Sequence, residues 1–197
     1  MSGADVRRVG VVGLGTMGAG IAQVCVQAGI ETVGREVSGE LCDRARERIA
    51  HYLGRGVEKG RLTAEERDAA LARLKTTTDL GDLAGCDLVI EAIVEELDAK
   101  QELFRSLERV VGEGAVLATN TSALSVTEVA RATEHPERVV GMHFFNPAPV
   151  LPLVEVVRTE LAAPAAVDTA FGLAERLGKE PIRCDDTPGF VVNRILI

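Results

Sequence analysis

The sequence lacks tryptophan and is poor in aromatic residues, which make up 3% of its 197 residues. Proteins that bind single-stranded nucleic acids stack the bases on aromatic side chains, and this chain offers few of them. An excess of positive charge is also missing, because 30 Asp and Glu outnumber 22 Lys and Arg and give a net charge of −8. Nucleic-acid-binding proteins present basic faces. We therefore expect no nucleic-acid partner.

Long hydrophobic runs and clustered cysteines are absent as well. No apolar window approaches the roughly 18 residues that a membrane span requires. The first residues, MSGADVRR, contain no apolar stretch typical of a signal peptide. The cysteines form no CxxC pair and no Cys/His cluster of zinc spacing; they are Cys25, Cys42, Cys86 and Cys184. These features predict a cytoplasmic protein with free thiols, without a membrane partner and without a metal site.

A glycine-rich segment near the start of the chain is the strongest local signal. An apolar strand over residues 9–12 is predicted to lead through the sequence GLGTMG into an amphipathic helix. In the dinucleotide fingerprint the first glycine permits a tight turn, the second admits a pyrophosphate and the third lets helix pack on strand. The free N–H groups at the start of the helix suit phosphates. We predict a nucleotide site at Gly13, Gly15, Thr16, Met17 and Gly18.

The choice between NAD and NADP depends on the end of the next predicted strand, residues 30–36. Glu36 lies 18 residues after Gly18, where an acid binds the adenosine ribose hydroxyls and repels a 2′-phosphate. This favours NAD. Arg35 is the one contrary indication, because an arginine could accommodate that phosphate.

Strand and helix patterns alternate along nearly the whole chain. Strands are predicted at 75–78, 87–94, 115–119, 138–145, 153–158 and 181–184, and helices at 39–59, 63–74, 97–111 and 165–177. Capping boxes are predicted at 63–66 and 125–128. The alternation predicts an α/β fold, a doubly wound Rossmann-type sheet that is mostly parallel, with a helical-hairpin insertion at about 39–74. The cations Arg55 and Lys59 near the tip of the insertion indicate either a function beyond nucleotide binding or a solvated helix end.

The last residues differ from the rest. TPGF at 187–190 is predicted to open a helix over 190–197 that is apolar on nearly every side, and such a helix must be buried. We expect residues 1–186 to form the nucleotide-binding domain and residues 187–197 to begin a C-terminal domain that this chain lacks. Alternatively, a second subunit covers residues 190–197 in a homodimer.

Polar residues that follow predicted strands are candidates for catalysis, because ligands of open parallel sheets bind beyond the carboxyl ends of the strands. Glu155 lies within the apolar stretch LPLVEVV, where a carboxylate is costly unless it has a partner. His143 lies twelve residues earlier and could fold back to bond it. That pair would fix the imidazole tautomer and make His143 a general base for an alcohol proton. The alternative is a core histidine and a strand-end surface acid.

Five segments together carry a family resemblance: GLGTMGAGIAQ, IEAIVEELDAKQELF, ATNTSALSVTEVA, GMHFFNPAPVLPLVEVV and DTPGFVVNRIL. In this order and spacing the chain resembles the NAD-binding domain of the 3-hydroxyacyl-CoA dehydrogenases, from residue 8 to residue 197. The resemblance implies NAD-dependent interconversion of a 3-hydroxyacyl-CoA and a 3-oxoacyl-CoA. It implies catalytic roles for His143, its partner Glu155, and Ser122 and Asn193 at the reacting oxygen.

The resemblance also implies where cofactor and substrate lie. Glu36 would bind the adenosine ribose, and Glu95, Lys100 and Asn120 would lie along the cofactor or substrate. For coenzyme A it implies Arg55, Lys59 and Asn146. Family members usually carry a second serine where this chain has Ala123, and a C-terminal helical domain that dimerises and closes the cleft.

Two alternatives to an active acyl-CoA dehydrogenase stay open. Without a domain to close the site, the chain could be an NAD-binding module with little turnover. A hydroxy-acid dehydrogenase of the 3-hydroxyisobutyrate or 6-phosphogluconate type has a similar GLGTMG start, although the HFFNP and TPGFVVNR segments count against it.

Overall fold

A computed structural model describes residues 3–196. Within that range eight strands form one sheet: β1 (Arg8–Val12), β2 (Glu31–Arg35), β3 (Leu74–Thr77), β4 (Leu88–Glu91), β5 (Val116–Thr119), β6 (Val139–Phe144), β7 (Leu153–Arg158) and β8 (Glu180–Asp185). Their order across the sheet is β3-β2-β1-β4-β5-β6-β7-β8. Neighbouring strands are parallel except for β6 and β7. The order turns back at β1 and β4, which is the place where such sheets bind nucleotides.

Helices cover both faces of the sheet. They are α1 (Thr16–Gln27), α2 (Gly39–Glu58), α3 (Ala64–Ala72), α4 (Leu97–Val110), α5 (Val126–Ala130), α6 (Pro164–Arg176) and α7 (Val192–Leu196). Successive residues of a strand point to opposite faces, and accordingly Leu88 and Ile90 of β4 join one buried cluster whereas Val89 joins another. The doubly wound, mostly parallel fold predicted from the alternation is confirmed.

The helical hairpin between β2 and β3 is also confirmed. Ser38 caps α2 by accepting the N–H of Leu41, and Thr63 and Glu66 form a complete capping box at the start of α3. The predicted end of α3 at residue 74 is wrong. The helix ends at residue 72, because Leu74 is buried as the first residue of β3, where it pairs with Thr32 of β2.

Two other local predictions need correction. The strand predicted over 87–94 ends at Glu91, because the Glu91 carboxylate accepts the N–H of Ile93 at 2.7 Å and turns the chain. At the second predicted capping box, Ser125 does accept the N–H of Glu128, but the Glu128 carboxylate binds Arg131 at 2.8 Å. Only half of that box forms.

The C-terminal helix begins later than predicted. Phe190 has a positive φ of 47°, so it lies in a turn, and α7 begins at Val192. Residue 197 lies outside the described residues. We expected this segment to be apolar on nearly every side and to require burial. Phe190 is buried within the chain, whereas Ile195 is 77% exposed.

All four cysteines are free, as predicted, and three of them are buried. Burial raises the pKa of Cys25 and Cys184 to about 12 and that of Cys86 to about 11. These thiols are therefore protonated at neutral pH. None of the helices within residues 3–196 combines the length and the hydrophobicity that a membrane-spanning helix requires.

Candidate active site

The glycine-rich turn has the geometry that a dinucleotide requires. Gly13 has a φ of +85°, which favours glycine. A Cβ atom on Gly18 would lie 1.7 Å from the Gly13 carbonyl oxygen, so α1 could not pack this close to β1 with any other residue there. A Cβ on Gly15 would meet nothing within 4 Å, so this glycine leaves open space in front of α1.

Glu36 lies against the same turn. Its Oε1 accepts the N–H of Leu14 at 2.7 Å and its Oε2 accepts the N–H of Val37 at 2.9 Å. The carboxylate therefore links the tip of β2 to the glycine-rich turn. Arg35 beside it donates from Nε to the carbonyl oxygen of Thr78 at 3.4 Å.

These residues fit a nicotinamide dinucleotide. The start of α1 has no side-chain cap within the described part of the chain, which leaves backbone N–H groups for phosphate oxygens. The open space at Gly15 admits a pyrophosphate, and the acid at position 36 suits the ribose hydroxyls of NAD. Thr16 is exposed at the turn, whereas Met17 is half-buried and packs against the core.

His143 and Glu155 form a buried pair on β6 and β7, in the other half of the sheet from β1 and β2. They face each other in the antiparallel register of β6 and β7, and His143 Nδ1 lies 2.7 Å from Glu155 Oε2. The glutamate side chain is fully buried and the histidine side chain is 8% exposed. The antiparallel pairing of the two strands brings together residues twelve positions apart. This contact supports the paired interpretation over a surface acid.

The second oxygen of Glu155 is held by the backbone. Its Oε1 accepts the N–H groups of Val191 and Val192, each at 2.9 Å. The imidazole of His143 also contacts two phenyl rings, with centroid distances of 4.4 Å to Phe145 and 5.8 Å to Phe190. Both members of the pair therefore have fixed orientations.

Ser122 and Asn193 also come together. The Asn193 amide donates from Nδ2 to the backbone carbonyl oxygen of Ser122 at 3.1 Å, across 71 positions of sequence. Ser122 itself is exposed. Asn120, which follows β5, accepts the N–H of Phe144 on its Oδ1 at 2.9 Å and so ties the ends of β5 and β6 together.

A buried network of charges supports the Ser122 loop. Lys100 is fully buried, with its Nζ 2.6 Å from Glu91 Oε1 and 3.3 Å from Glu95 Oε2. Glu95 Oε1 in turn accepts the hydroxyl of Thr121 and the N–H of Ser122, the latter at 3.0 Å. Lys100 therefore lies behind Glu95, away from solvent.

The two carboxyl groups of this network differ in acidity. Burial raises the pKa of Glu91, and the opposing effects of Lys100, Thr119 and Ile93 do not cancel it. Partial burial acts in the same direction on Glu95, but the Thr121 hydroxyl and the Lys100 charge outweigh it and hold the pKa of Glu95 below its ordinary value. Glu95 is therefore ionised at neutral pH.

A cleft of about 730 Å³ opens between α1, α2 and the loop at 146–150. The residues predicted for coenzyme A, Arg55, Lys59 and Asn146, all line it. Arg48 of α2 and Arg61 after it add two further cations, and Tyr52 of α2 is 57% exposed. The insertion thus presents positive charge to the cleft. Asn146, which also lines it, lies three residues after His143 in the chain.

Several contacts of the site were not predicted. Glu91 follows the apolar stretch DLVI of a predicted strand and is one of the polar candidates at its carboxyl end, but the sequence gave no signal of its pairing with Lys100. Lys179 donates from Nζ to the carbonyl oxygens of Ala148 and Leu151 and so holds the cleft loop. Lys179 lies 28 residues after Leu151, and nothing in the sequence indicated this contact. Asp186 stands first in the segment DTPGFVVNRIL, but the sequence gave no signal of its partners.

The fold and this arrangement of residues define an NAD-dependent dehydrogenase domain. A family model described as "3-hydroxyacyl-CoA dehydrogenase, NAD binding domain" matches residues 8–187. The chain belongs to the 3-hydroxyacyl-CoA dehydrogenase family of NAD-dependent oxidoreductases.

Named relatives agree with this membership. The chain is 50% identical to a 3-hydroxybutyryl-CoA dehydrogenase of Mycobacterium tuberculosis over 98% of this chain and 68% of that protein. It is 46% identical to a 3-hydroxyadipyl-CoA dehydrogenase of Escherichia coli over 97% of this chain and 40% of that protein. The crystal structure of an (S)-3-hydroxybutyryl-CoA dehydrogenase from Ralstonia eutropha superimposes with a TM-score of 0.96 at 41% identity, over 98% of this chain and 68% of that one.

Proposed function

We propose that this chain carries the catalytic residues for NAD-dependent oxidation of a 3-hydroxyacyl-CoA to a 3-oxoacyl-CoA, or for the reverse reduction. The observation that carries the proposal is the buried contact of 2.7 Å between His143 Nδ1 and Glu155 Oε2. It leaves Nε2 as the ring nitrogen that faces a substrate.

His143 acts as the general base in the oxidation. Because Glu155 accepts a hydrogen bond from Nδ1–H, the lone pair of the neutral imidazole is on Nε2, where it takes the proton of the 3-hydroxyl group. The imidazolium that results is stabilised by the adjacent carboxylate. In the reduction the same nitrogen returns the proton to the carbonyl oxygen.

Ser122 and Asn193 hold the reacting oxygen. The bond between the Asn193 amide and the Ser122 backbone brings these two residues together, and Asn193 follows Val192, which bonds Glu155. Each carries a polar side chain that would bind the substrate oxygen beside His143. Asn120 supports them from the end of β5. Bound NAD supplies the acceptor for the hydride that leaves C3.

Glu95 and Lys100 have different roles: Glu95 contacts the ligand, and Lys100 positions Glu95. Glu95 holds the Ser122 loop and is partly exposed, so it is the member of the network that meets cofactor or substrate. Lys100 neutralises Glu95 from behind and thereby keeps the carboxylate in place. Its role is therefore one of positioning rather than of contact.

The cleft at the insertion takes the coenzyme A moiety. Arg55 and Lys59 offer charge to phosphate groups, and Asn146 lines the opposite wall, next to the His143 strand. An acyl thioester that enters here would reach His143 along the loop that follows β6. A free hydroxy acid has no coenzyme A phosphates, so it would gain no binding energy from Arg55 and Lys59.

The test is to follow the absorbance of NADH when the protein is mixed with acetoacetyl-CoA, with a free 3-oxo acid as the control substrate. Oxidation of NADH by the thioester alone supports the proposal. Oxidation by the free acid alone would instead support a hydroxy-acid dehydrogenase. NADH binding without turnover would make this chain a cofactor-binding module.

Three further expectations stay predictions. They are a homodimer through residues 190–197, a cytoplasmic location, and a domain boundary at 186/187. The mass of the protein in solution, measured by light scattering, tests the first of them.

A further inference from the structure

Residues 186–193, which we call the strap, run from the end of β8 into the first turn of α7 and pass the proposed catalytic residues. The strap is fastened at its start by Asp186. This carboxylate accepts the Ser125 hydroxyl at 2.8 Å and the backbone N–H groups of Val126 and Thr127 at 3.1 Å and 2.7 Å. The strap is thereby bound to the element that follows the Ser122 loop.

The other end of the strap contacts the site with four successive residues. The ring of Phe190, which is 3% exposed, lies against the imidazole of His143. The next two residues, Val191 and Val192, donate their N–H groups to Glu155, and the fourth, Asn193, bonds the backbone of Ser122. Different members of the site are therefore held by one short stretch of chain.

The backbone at Phe190 supports a constrained role for this stretch. Its φ of 47° is a conformation that a bulky side chain rarely adopts. Such a conformation persists only where the surroundings over-determine it. Here the ring is fixed in an apolar cluster with Val126 and Val157. The strained turn aims the two following N–H groups at Glu155 Oε1.

A carboxylate bonded through one oxygen alone can rotate about its terminal bond. Glu155 has both oxygens bonded, one toward His143 and one toward the strap. Loss of the strap contacts would free Oε1 and allow the pair to leave the geometry that a proton transfer needs. Asp186 anchors those contacts although it contacts neither His143 nor Glu155 in any described interaction.

We propose that Asp186 is a positioning residue that orders the His143–Glu155 pair through the strap. The inference rests on the proposed roles of His143 and Glu155. Its tests therefore include one readout that requires no turnover.

The first test compares Asp186→Ala with Asp185→Ala. Asp185 is the neighbouring acid, exposed and paired with Arg158, so its removal changes the charge equally without touching the strap. In ¹⁵N-labelled free protein, the imidazole resonances of His143 report its tautomer and its Nδ1–H hydrogen bond. We expect Asp186→Ala to lose the single tautomer and Asp185→Ala to keep it.

Kinetics give the second readout. With acetoacetyl-CoA and NADH, kcat of Asp186→Ala should fall roughly 10- to 100-fold, as expected when reacting groups are misplaced by about 1 Å. The KM for NADH should stay unchanged, because the glycine-rich turn and Glu36 lie elsewhere. A folded Asp186→Ala protein with the wild-type His143 resonances and the wild-type kcat would overturn the proposal.

Asp186→Asn decides the matter if Asp186→Ala does not fold, because the amide has the size of the carboxylate. One acceptor oxygen of Asp186 becomes an NH₂ donor, which cannot accept the bonds that Ser125 and Thr127 give to Oδ2. Loss of the single His143 tautomer in this variant supports the proposal, and its retention overturns it. Ile195→Ala, on the exposed side of α7, is the control. If the wild-type chain has no turnover, the proposed function fails, while the spectra still decide the role of the strap.

Discussion

Lys100 and Glu91 form an ion pair from which solvent is excluded: Nζ lies 2.6 Å from Oε1, and both side chains have zero exposure. The pair joins α4 to the end of β4, and Thr119 adds a hydrogen bond to the other oxygen of Glu91 at 2.7 Å. Charges at this depth depend on one another, since removal of one leaves the other buried without a partner.

Lys100→Met should therefore destabilise the protein by about 3–5 kcal/mol, the cost of leaving a buried carboxylate unpaired. Unfolding in urea measures the change. Lys75→Met is the matched control, because Lys75 pairs with Asp82 at 2.9 Å but is 60% exposed. An exposed pair of this kind contributes at most about 1 kcal/mol. Equal losses in the two variants would show that the buried network is not a stabilising unit.

Gly15→Ala should separate cofactor binding from folding. The added methyl group meets no protein atom within 4 Å, and Gly15 precedes α1 without a side-chain cap bond to lose, so the free energy of unfolding should change by no more than about 1 kcal/mol. The same methyl group would enter the space that we assign to the pyrophosphate, and NADH affinity should fall. Fluorescence titration with NADH measures this. Gly114→Ala, equally open and remote, is the control; wild-type affinity in Gly15→Ala would refute the assignment.

The double substitution Arg55→Ala/Lys59→Ala should raise the KM for acetoacetyl-CoA and leave the KM for NADH unchanged. The reason is that both cations line the cleft at the insertion and neither lies at the glycine-rich turn. Arg44→Ala is the control on the same helix, since Arg44 is exposed and pairs with Glu40 at a distance from the cleft. An increase in both KM values, or in neither, would contradict the assignment of the cleft.

Asp186 should make stability depend on pH in the acid range. Partial burial acts toward a higher pKa, but hydrogen bonds from Thr127, Ser125 and Val126 outweigh it and hold the pKa of Asp186 below its ordinary value of 3.8. As the pH falls below about 4, Asp186 is protonated in the unfolded chain before it is protonated in the folded protein. Stability therefore falls as the pH falls toward the folded-state pKa. The contribution is fully present above the ordinary value.

Asp186→Asn should consequently lose less stability than the wild type between about pH 6 and pH 3. Urea unfolding at the two pH values measures the difference. Asp185→Asn, which removes the same charge from an exposed position, is the control for the change in net charge. If both variants follow the wild type, the hydrogen bonds at Asp186 do not favour its ionised form.

The sequence predicted the parts of this molecule that depend on local pattern. The glycine-rich turn, the alternation of strands and helices and the hairpin at α2 and α3 follow from spacing and capping residues, and all are present. Predictions failed where one side chain redirected the chain. The Glu91 carboxylate ends β4 early, and the bond between Glu128 and Arg131 takes away half of a capping box.

The sequence could indicate contacts within the site only between residues on elements that follow each other in the chain. The spacing of His143 and Glu155 left two interpretations open, because nothing in it indicates that β6 and β7 are antiparallel. Contacts over longer distances gave no signal. The anchoring of Asp186 spans about 60 positions, and the bond from Asn193 to Ser122 spans 71. The family resemblance named Asn193, whereas Asp186 emerged only from the fold.

The role of His143 is tested most directly by the rate of NADH oxidation by acetoacetyl-CoA in the wild type and in His143→Ala, with NADH affinity measured in parallel. The variant removes the proposed base, and the nucleotide site at the glycine-rich turn is left intact. We expect turnover to be abolished and NADH affinity to be retained. Turnover at the wild-type rate in His143→Ala would contradict the central claim that this histidine, held by Glu155, transfers the proton.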